Sequence, residues 1–135
     1  MVMRTSRALI VDSHKPVCEL IAAILRSAGF VTQTAYTLTQ AFAQLESANF
    51  DLILADYQTA STGDSPFAPP LLARAKEQND AVRIVLMSGN LSLEEASDYL
   101  FLAKPFTYRE LLNKSGALAL DKSCRSAIPT LGYRT

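Results

Sequence analysis

Short apolar runs alternate with amphipathic segments along most of this chain. Each run has the length and composition of a buried strand. The runs cover residues 7–12, 31–35, 51–55, 82–87 and 99–103. The segments between them predict helices between Pro16 and Gly29, between Thr37 and Asn49, from Pro69-Pro70 to Gln78, from Leu91 to Asp98, and from Thr107 to about Leu120. Alternating β/α units of this size predict an α/β fold with a five-stranded parallel sheet between two helix layers.

Length and composition favour one ordinary globular domain. The chain has 135 residues, of which 19% are charged, and its formal net charge is zero. We expect a domain over residues 1–120 and a C-terminal tail without clear structure over residues 121–135. Zero net charge argues against direct nucleic-acid binding, and the lack of a long apolar stretch argues against a membrane span. Without a secretion-type leader, and with no ligand-like spacing of Cys18 and Cys124, the sequence favours a cytoplasmic location.

Charged residues follow three of the apolar runs at the point where each predicted strand ends. Asp12 is the last residue of the first run, Asp56 follows the third, and Lys104 follows the fifth. In a parallel sheet these ends share one edge, which is where ligands bind in open α/β folds. We therefore expect two carboxylates and one ammonium group to meet there.

The order of these residues resembles that of the response-regulator receiver domain of two-component signalling. The resemblance extends from residue 7 to about residue 120. It rests on Asp12 after the first strand, Asp56 after the third, Ser88 after the fourth, and Lys104-Pro105-Phe106 after the fifth. It implies a flavodoxin-like (βα)5 three-layer sandwich and a cytoplasmic signalling protein.

The resemblance implies a role for each matching residue. Asp56 would be the phosphoacceptor, a carboxylate nucleophile that forms an acyl phosphate. Mg²⁺ would be held by Asp12, Asp56 and the backbone carbonyl of Gln58, which are oxygen ligands of the kind that this ion prefers. Lys104 and Ser88 would contact phosphate oxygens.

Two further positions are implied to change conformation when the domain is phosphorylated. Ser88 and Phe101 match the Ser/Thr and aromatic switch positions of the family. A movement of these side chains would carry the signal to the surface formed by the fourth helix and the fifth strand.

The sequence also departs from the family pattern. Ser13 stands where a second acidic residue usually follows the first strand, so we expect Mg²⁺ to bind weakly. The loop after Asp56 lacks the usual Met-Pro pair. The interval between Ser88 and Lys104 is short, which predicts a shortened fourth helix.

Two functions are compatible with these features. The first is a phosphoaccepting receiver that takes its phosphoryl group from a sensor histidine kinase or phosphotransfer protein and acts on a downstream protein partner. It could form a homodimer, and it would not be an enzyme beyond self-phosphorylation and self-dephosphorylation. The alternative is a pseudo-receiver, a phosphate-independent interaction or dimerisation module, which Ser13 favours.

An aspartyl phosphatase is disfavoured because neither Asp12 nor Asp56 has a second carboxylate two positions later. The sequence leaves open whether the chain is part of a longer protein.

Overall fold

Strands and helices alternate along the chain as predicted. The computed structural model describes residues 6–57, 70–89 and 100–116. The strands are β1 (Arg7–Val11), β2 (Val31–Ala35), β3 (Leu52–Asp56), β4 (Arg83–Ser88) and β5 (Leu100–Ala103). The helices are α1 (Lys15–Ser27), α2 (Leu38–Ser47), α3 (Pro70–Gln78) and α4 (Tyr108–Ser115). The helix predicted for residues 91–98, with its expected shortening, lies outside the described residues, as does the tail predicted for residues 121–135.

The five strands form one parallel sheet in the order β2-β1-β3-β4-β5. This confirms the predicted α/β architecture. The strand β1 lies between β2 and β3, and Val11 is level with both Ala35 and Ala55. The ends of β1 and β3 are therefore adjacent at the carboxyl edge of the sheet, where the site is built.

The sheet separates two layers of buried apolar side chains. Successive strand residues point to opposite faces, so Ile10 packs on one side and Leu9 on the other. Helices α1 and α4 cover the Ile10 face, and α2 and α3 cover the Leu9 face. In β4 every residue after Arg83 is buried, because helices cover both faces of this strand. No helix within the three described ranges is long and apolar enough to cross a bilayer.

A glycine follows the end of helix α1, as the sequence predicts. Gly29 has a φ of 106°, a left-handed conformation that favours glycine. Its N–H donates to Arg26 O at 3.0 Å, and the N–H of Phe30 donates to Leu25 O at 3.0 Å. This pair of bonds is the Schellman arrangement, which satisfies carbonyls that have no partner inside the helix. It turns the chain directly into β2.

Helix α4 begins at the predicted cap but ends earlier than predicted. The Thr107 side chain accepts from Glu110 N, and the Glu110 side chain accepts from Thr107 N, which together form a capping box. The prediction of a helix to about Leu120 is wrong, because α4 closes at Ser115. Gly116 follows it with a left-handed φ of 84°. The apolar residues that suggested a longer helix lie beyond this glycine and outside the described residues.

Candidate functional site

Asp12, Asp56 and Lys104 meet at the carboxyl edge of the sheet. Asp12 directly follows β1, Asp56 is the last residue of β3, and Lys104 directly follows β5. The strands are adjacent in the order β1-β3-β4-β5, so Lys104 reaches the two carboxylates from beyond β4. This confirms the expectation that the fold gathers these three side chains, while their chemical roles stay predictions.

The Lys104 ammonium bridges the two carboxylates. Its Nζ lies 2.8 Å from Asp12 Oδ2 and 2.8 Å from Asp56 Oδ1. The side chains of Asp12, Asp56 and Lys104 are 3%, 14% and 28% exposed. Because both oxygens contact one nitrogen, they lie no more than twice that distance from each other. Asp56 is the more solvent-accessible of the two carboxylates.

Backbone hydrogen bonds fix the positions from which these side chains project. The N–H of Asp12 donates to Ala35 O at 3.0 Å, which extends the pairing of β1 with β2 by one residue. The N–H of His14 donates to Asp12 Oδ1 at 2.9 Å and holds the carboxylate in an Asx-type turn. The N–H of Lys104 donates to Ser88 O at 2.9 Å, and the following peptide bond to Pro105 is cis. Both oxygens of Asp12 are therefore engaged, one by backbone and one by Lys104.

The charges of the site stabilise one another. Burial, the largest influence on Lys104, lowers its pKa, but hydrogen bonds to Asp12 and Asp56 and the charges of these carboxylates outweigh it. The pKa of Lys104 is consequently raised above its ordinary value, and the ammonium stays charged at neutral pH. Two carboxylates and one ammonium leave this group of three with a single excess negative charge.

Cys18 lies beneath the site as a core residue. Its Sγ donates to Ile10 O at 3.5 Å, and the side chain is fully buried among apolar neighbours. Burial, followed by the nearby charge of Asp12, raises the pKa of the thiol to about 11. Cys18 is therefore a protonated packing residue on α1.

The other predicted site residues take different places. Ser88 is buried at the end of β4, level with Ala103, and its carbonyl accepts from Lys104 N. Phe101 is buried in the core layer under α2 and α3, beside β4. Ser13 is exposed directly after Asp12. Gln58, the predicted carbonyl ligand, lies outside the described residues.

The donor set suits a hard cation but is small. Carboxylate oxygens are preferred Mg²⁺ ligands, and Asp12 and Asp56 supply them from adjacent strands. Among the described residues, no group of three or more His, Cys, Asp or Glu side chains is placed to hold a metal ion. The Lys104 ammonium also contacts one oxygen of each carboxylate. The residues present therefore fit Mg²⁺ in donor type, with two carboxylates and an ammonium in contact with both.

Sequence reasoning missed the hydrogen bond that orients Asp12. The signal was available, because an aspartate shortly before a Pro-initiated helix commonly accepts from the backbone two residues later. His14, at that position, is the N-cap residue of α1 and makes no side-chain capping bond. Its contribution to the site is through its backbone.

Similar proteins place this fold in one family. The model of the family described as response regulator receiver domain matches residues 8–115. The transcriptional regulatory protein ZraR of Salmonella typhimurium is 30% identical over 131 residues, which cover 90% of this chain and 28% of ZraR. The chain thus spans less than a third of the length of that curated relative.

Solved structures agree with this assignment. NtrX from Brucella abortus is 27% identical with a TM-score of 0.67, covering 90% of this chain and 29% of NtrX. The response regulator protein TrrA from Thermotoga maritima, solved in complex with Mg²⁺-BeF, is 24% identical with a TM-score of 0.65 and covers 84% of this chain and 98% of TrrA. TrrA supports the fold alone. The family model covers well over half of the length of this chain. The chain therefore belongs to the response regulator receiver domain family of two-component signalling.

Proposed function

We propose that this receiver domain accepts a phosphoryl group on Asp56 and relays the signal through protein contacts. Receiver domains are signalling domains, distinct from conventional enzymes, that interact with histidine kinases and downstream effector domains. The single observation that carries the proposal is the bridge from Lys104 Nζ to Asp12 Oδ2 and Asp56 Oδ1, 2.8 Å in each case. It sets a partly exposed carboxylate beside a cation and a second carboxylate.

The chemical step is a phosphoryl transfer to a carboxylate oxygen. An Asp56 oxygen attacks phosphorus, and the P–N bond of a donor phosphohistidine breaks with its electron pair left on the imidazole nitrogen. Water later attacks the acyl phosphate and releases inorganic phosphate. The donor would be a sensor histidine kinase or a phosphotransfer protein.

Charge is the main obstacle to this step, because a phosphoryl group approaches a carboxylate pair. Lys104 lies where its ammonium can contact an oxygen of the new phosphoryl group while it stays within reach of Asp12. Mg²⁺, held by Asp12, Asp56 and the Gln58 carbonyl, would supply further positive charge to the phosphoryl oxygens. With Ser13 in place of a second acidic residue, we expect this ion to bind weakly.

The conformational change that relays phosphorylation would start from Ser88 and Phe101. Ser88 is linked to Lys104 through its carbonyl, and its hydroxyl would contact a phosphoryl oxygen. Phe101 lies on the neighbouring strand β5, level with Leu86. A shift of both side chains would alter the β4–β5 surface that faces a downstream protein partner or a second copy of the chain.

The test is modification of Asp56 in the purified chain. Incubation with Mg²⁺ and a small phosphodonor such as acetyl phosphate should add one phosphoryl group, detected by intact mass. Asp56→Asn should abolish it, because an amide cannot form the acyl phosphate. Asp80→Asn serves as the matched control, since Asp80 is exposed at the opposite edge of the sheet.

The pseudo-receiver alternative makes the opposite prediction. It is favoured by Ser13, which removes a carboxylate beside Asp12. A wild-type chain that neither gains mass nor responds to beryllofluoride would support that alternative and refute phosphoacceptance. Modification that persists in Asp56→Asn would show that another residue is the acceptor.

A further inference from the structure

The last turn of α4 contacts an arginine at the start of β4. Arg83, the first residue of β4, donates from Nε to the carbonyl of Lys114 at 2.7 Å. The backbone of Arg83 is itself fixed, because its N–H donates to Asp51 O at 2.9 Å. The exposed guanidinium group thus ties the end of a helix to the start of a central strand.

This bond satisfies one of the carbonyls at the helix end. The last carbonyls of a helix have no partner within it. In α4, the N–H of Gly116 satisfies Leu112 O and Asn113 O, and Arg83 satisfies Lys114 O. A cation at a helix C-terminus also interacts favourably with the helix dipole. One side chain from outside the helix therefore supplies a hydrogen-bond donor to Lys114 O, which neither the helix nor Gly116 supplies.

Gly116 packs against the same side chain. A Cβ on Gly116 would lie 3.6 Å from Arg83 Nε and 3.7 Å from Arg83 Cδ, which is ordinary contact. The glycine is required by its φ of 84° and not by lack of space. The guanidinium therefore lies along the backbone at the point where the chain leaves α4.

We propose that Arg83 is a positioning residue that clamps the last turn of α4 to β4 and so fixes the position of Gly116 relative to the sheet. The clamp lies at the opposite end of β4 from Ser88. It makes the exit point of α4 a fixed position relative to the sheet.

Amide hydrogen exchange of the full chain tests the clamp. In Arg83→Met the amides of residues 113–116 should exchange about two- to fivefold faster, the size expected for loss of one cation at a helix end. Arg83→Lys, which keeps a cationic donor, should recover most of the protection. Arg26→Met is the matched control, because Arg26 lies in the last turn of α1 and donates to the Thr32 side chain.

The same measurement can overturn the proposal. Unchanged exchange at residues 113–116 in Arg83→Met would show that the contact does not hold the helix end. Equal acceleration of the β3 amides would show that Arg83 acts on global stability and not on α4 locally. An identical local effect of Arg26→Met would show that the change is not specific to Arg83.

Discussion

Lys104 donates a 2.8 Å hydrogen bond to Asp12, a residue 92 positions earlier in the chain. The same ammonium contacts Asp56 at 2.8 Å, so one cation serves two acids from adjacent strands. The site therefore contains its own counterion. An added cation at this site would meet an ammonium that is already in contact with both carboxylates.

Replacing Lys104 should strengthen metal binding and weaken the fold. Lys104→Met keeps most of the side-chain stem but removes the competing charge, so we expect the affinity for Mg²⁺ to rise about tenfold, or about 1.4 kcal/mol. The free energy of unfolding without metal should fall by about 1–3 kcal/mol, because two carboxylates lose a hydrogen-bonded partner. Calorimetric titration and urea denaturation measure the two effects.

Added Mg²⁺ should restore part of the stability of Lys104→Met, since a ligand that binds only the folded state stabilises it. Lys76→Met, at an exposed position on α3, is the control and should change neither quantity. If Lys104→Met binds Mg²⁺ no better than wild type, the ammonium is not a competitor.

The stability contributed by Lys104 should disappear in strong base. Its pKa is raised in the folded state above the ordinary value of 10.5, so the contribution is complete below that pH and is lost as pH rises through the folded pKa. The difference in unfolding free energy between wild type and Lys104→Met should be constant from pH 7 to about 9 and shrink above about 10.5. Urea denaturation across this range measures it, and a constant difference would contradict the ion-pair explanation.

Restoring an acid beside Asp12 should improve the metal site. Ser13→Asp adds a third carboxylate at the edge of the sheet, and hard-cation affinity increases with ligand charge. We expect Mg²⁺ to bind about tenfold more tightly, or about 1.4 kcal/mol. Calorimetry against Ser27→Asp, which adds the same charge at the far end of α1, separates a ligand from a general charge effect. Equal affinity in both variants would count against a role for position 13.

Removing the cap of α4 should cost stability. Thr107→Ala loses the side-chain bond to Glu110 N, and loss of such a cap typically costs about 1 kcal/mol. Thermal or urea denaturation measures the change. Thr39→Ala is the comparison, because Thr39 is exposed inside the first turn of α2, where alanine is the better helix former. A loss no larger than that of Thr39→Ala would show that the capping box contributes little.

The strand ends were predictable because hydrophobic burial marks them. The apolar run before Asp56 stops at the last residue of β3, and the run before Asp12 stops at the last residue of β1. Once the strands were known to be parallel, the convergence of both acids followed from geometry alone. The capping box at Thr107 was likewise a local signal, since it depends on residues only three positions apart.

Contacts between distant elements were not predictable in the same way. Nothing local in the sequence pairs Arg83 with the carbonyl of Lys114, because that bond depends on the order of strands and the packing angle of α4. The end of α4 was misjudged for a different reason. Apolar residues continue past Gly116, and their periodicity outweighed the glycine, although a glycine after Lys114 is a recognised stop signal.

Strand order also explains why position 104 carries a long side chain. The strand β4 lies between β3 and β5. The Lys104 side chain must therefore cross one additional strand spacing, about 4.8 Å, to bring its ammonium to Asp56. Only an extended flexible stem can bring a positive charge that far, so side-chain length constrains this residue as strictly as charge does. A cationic residue with a shorter side chain would leave Asp12 and Asp56 without the ammonium that contacts both of them.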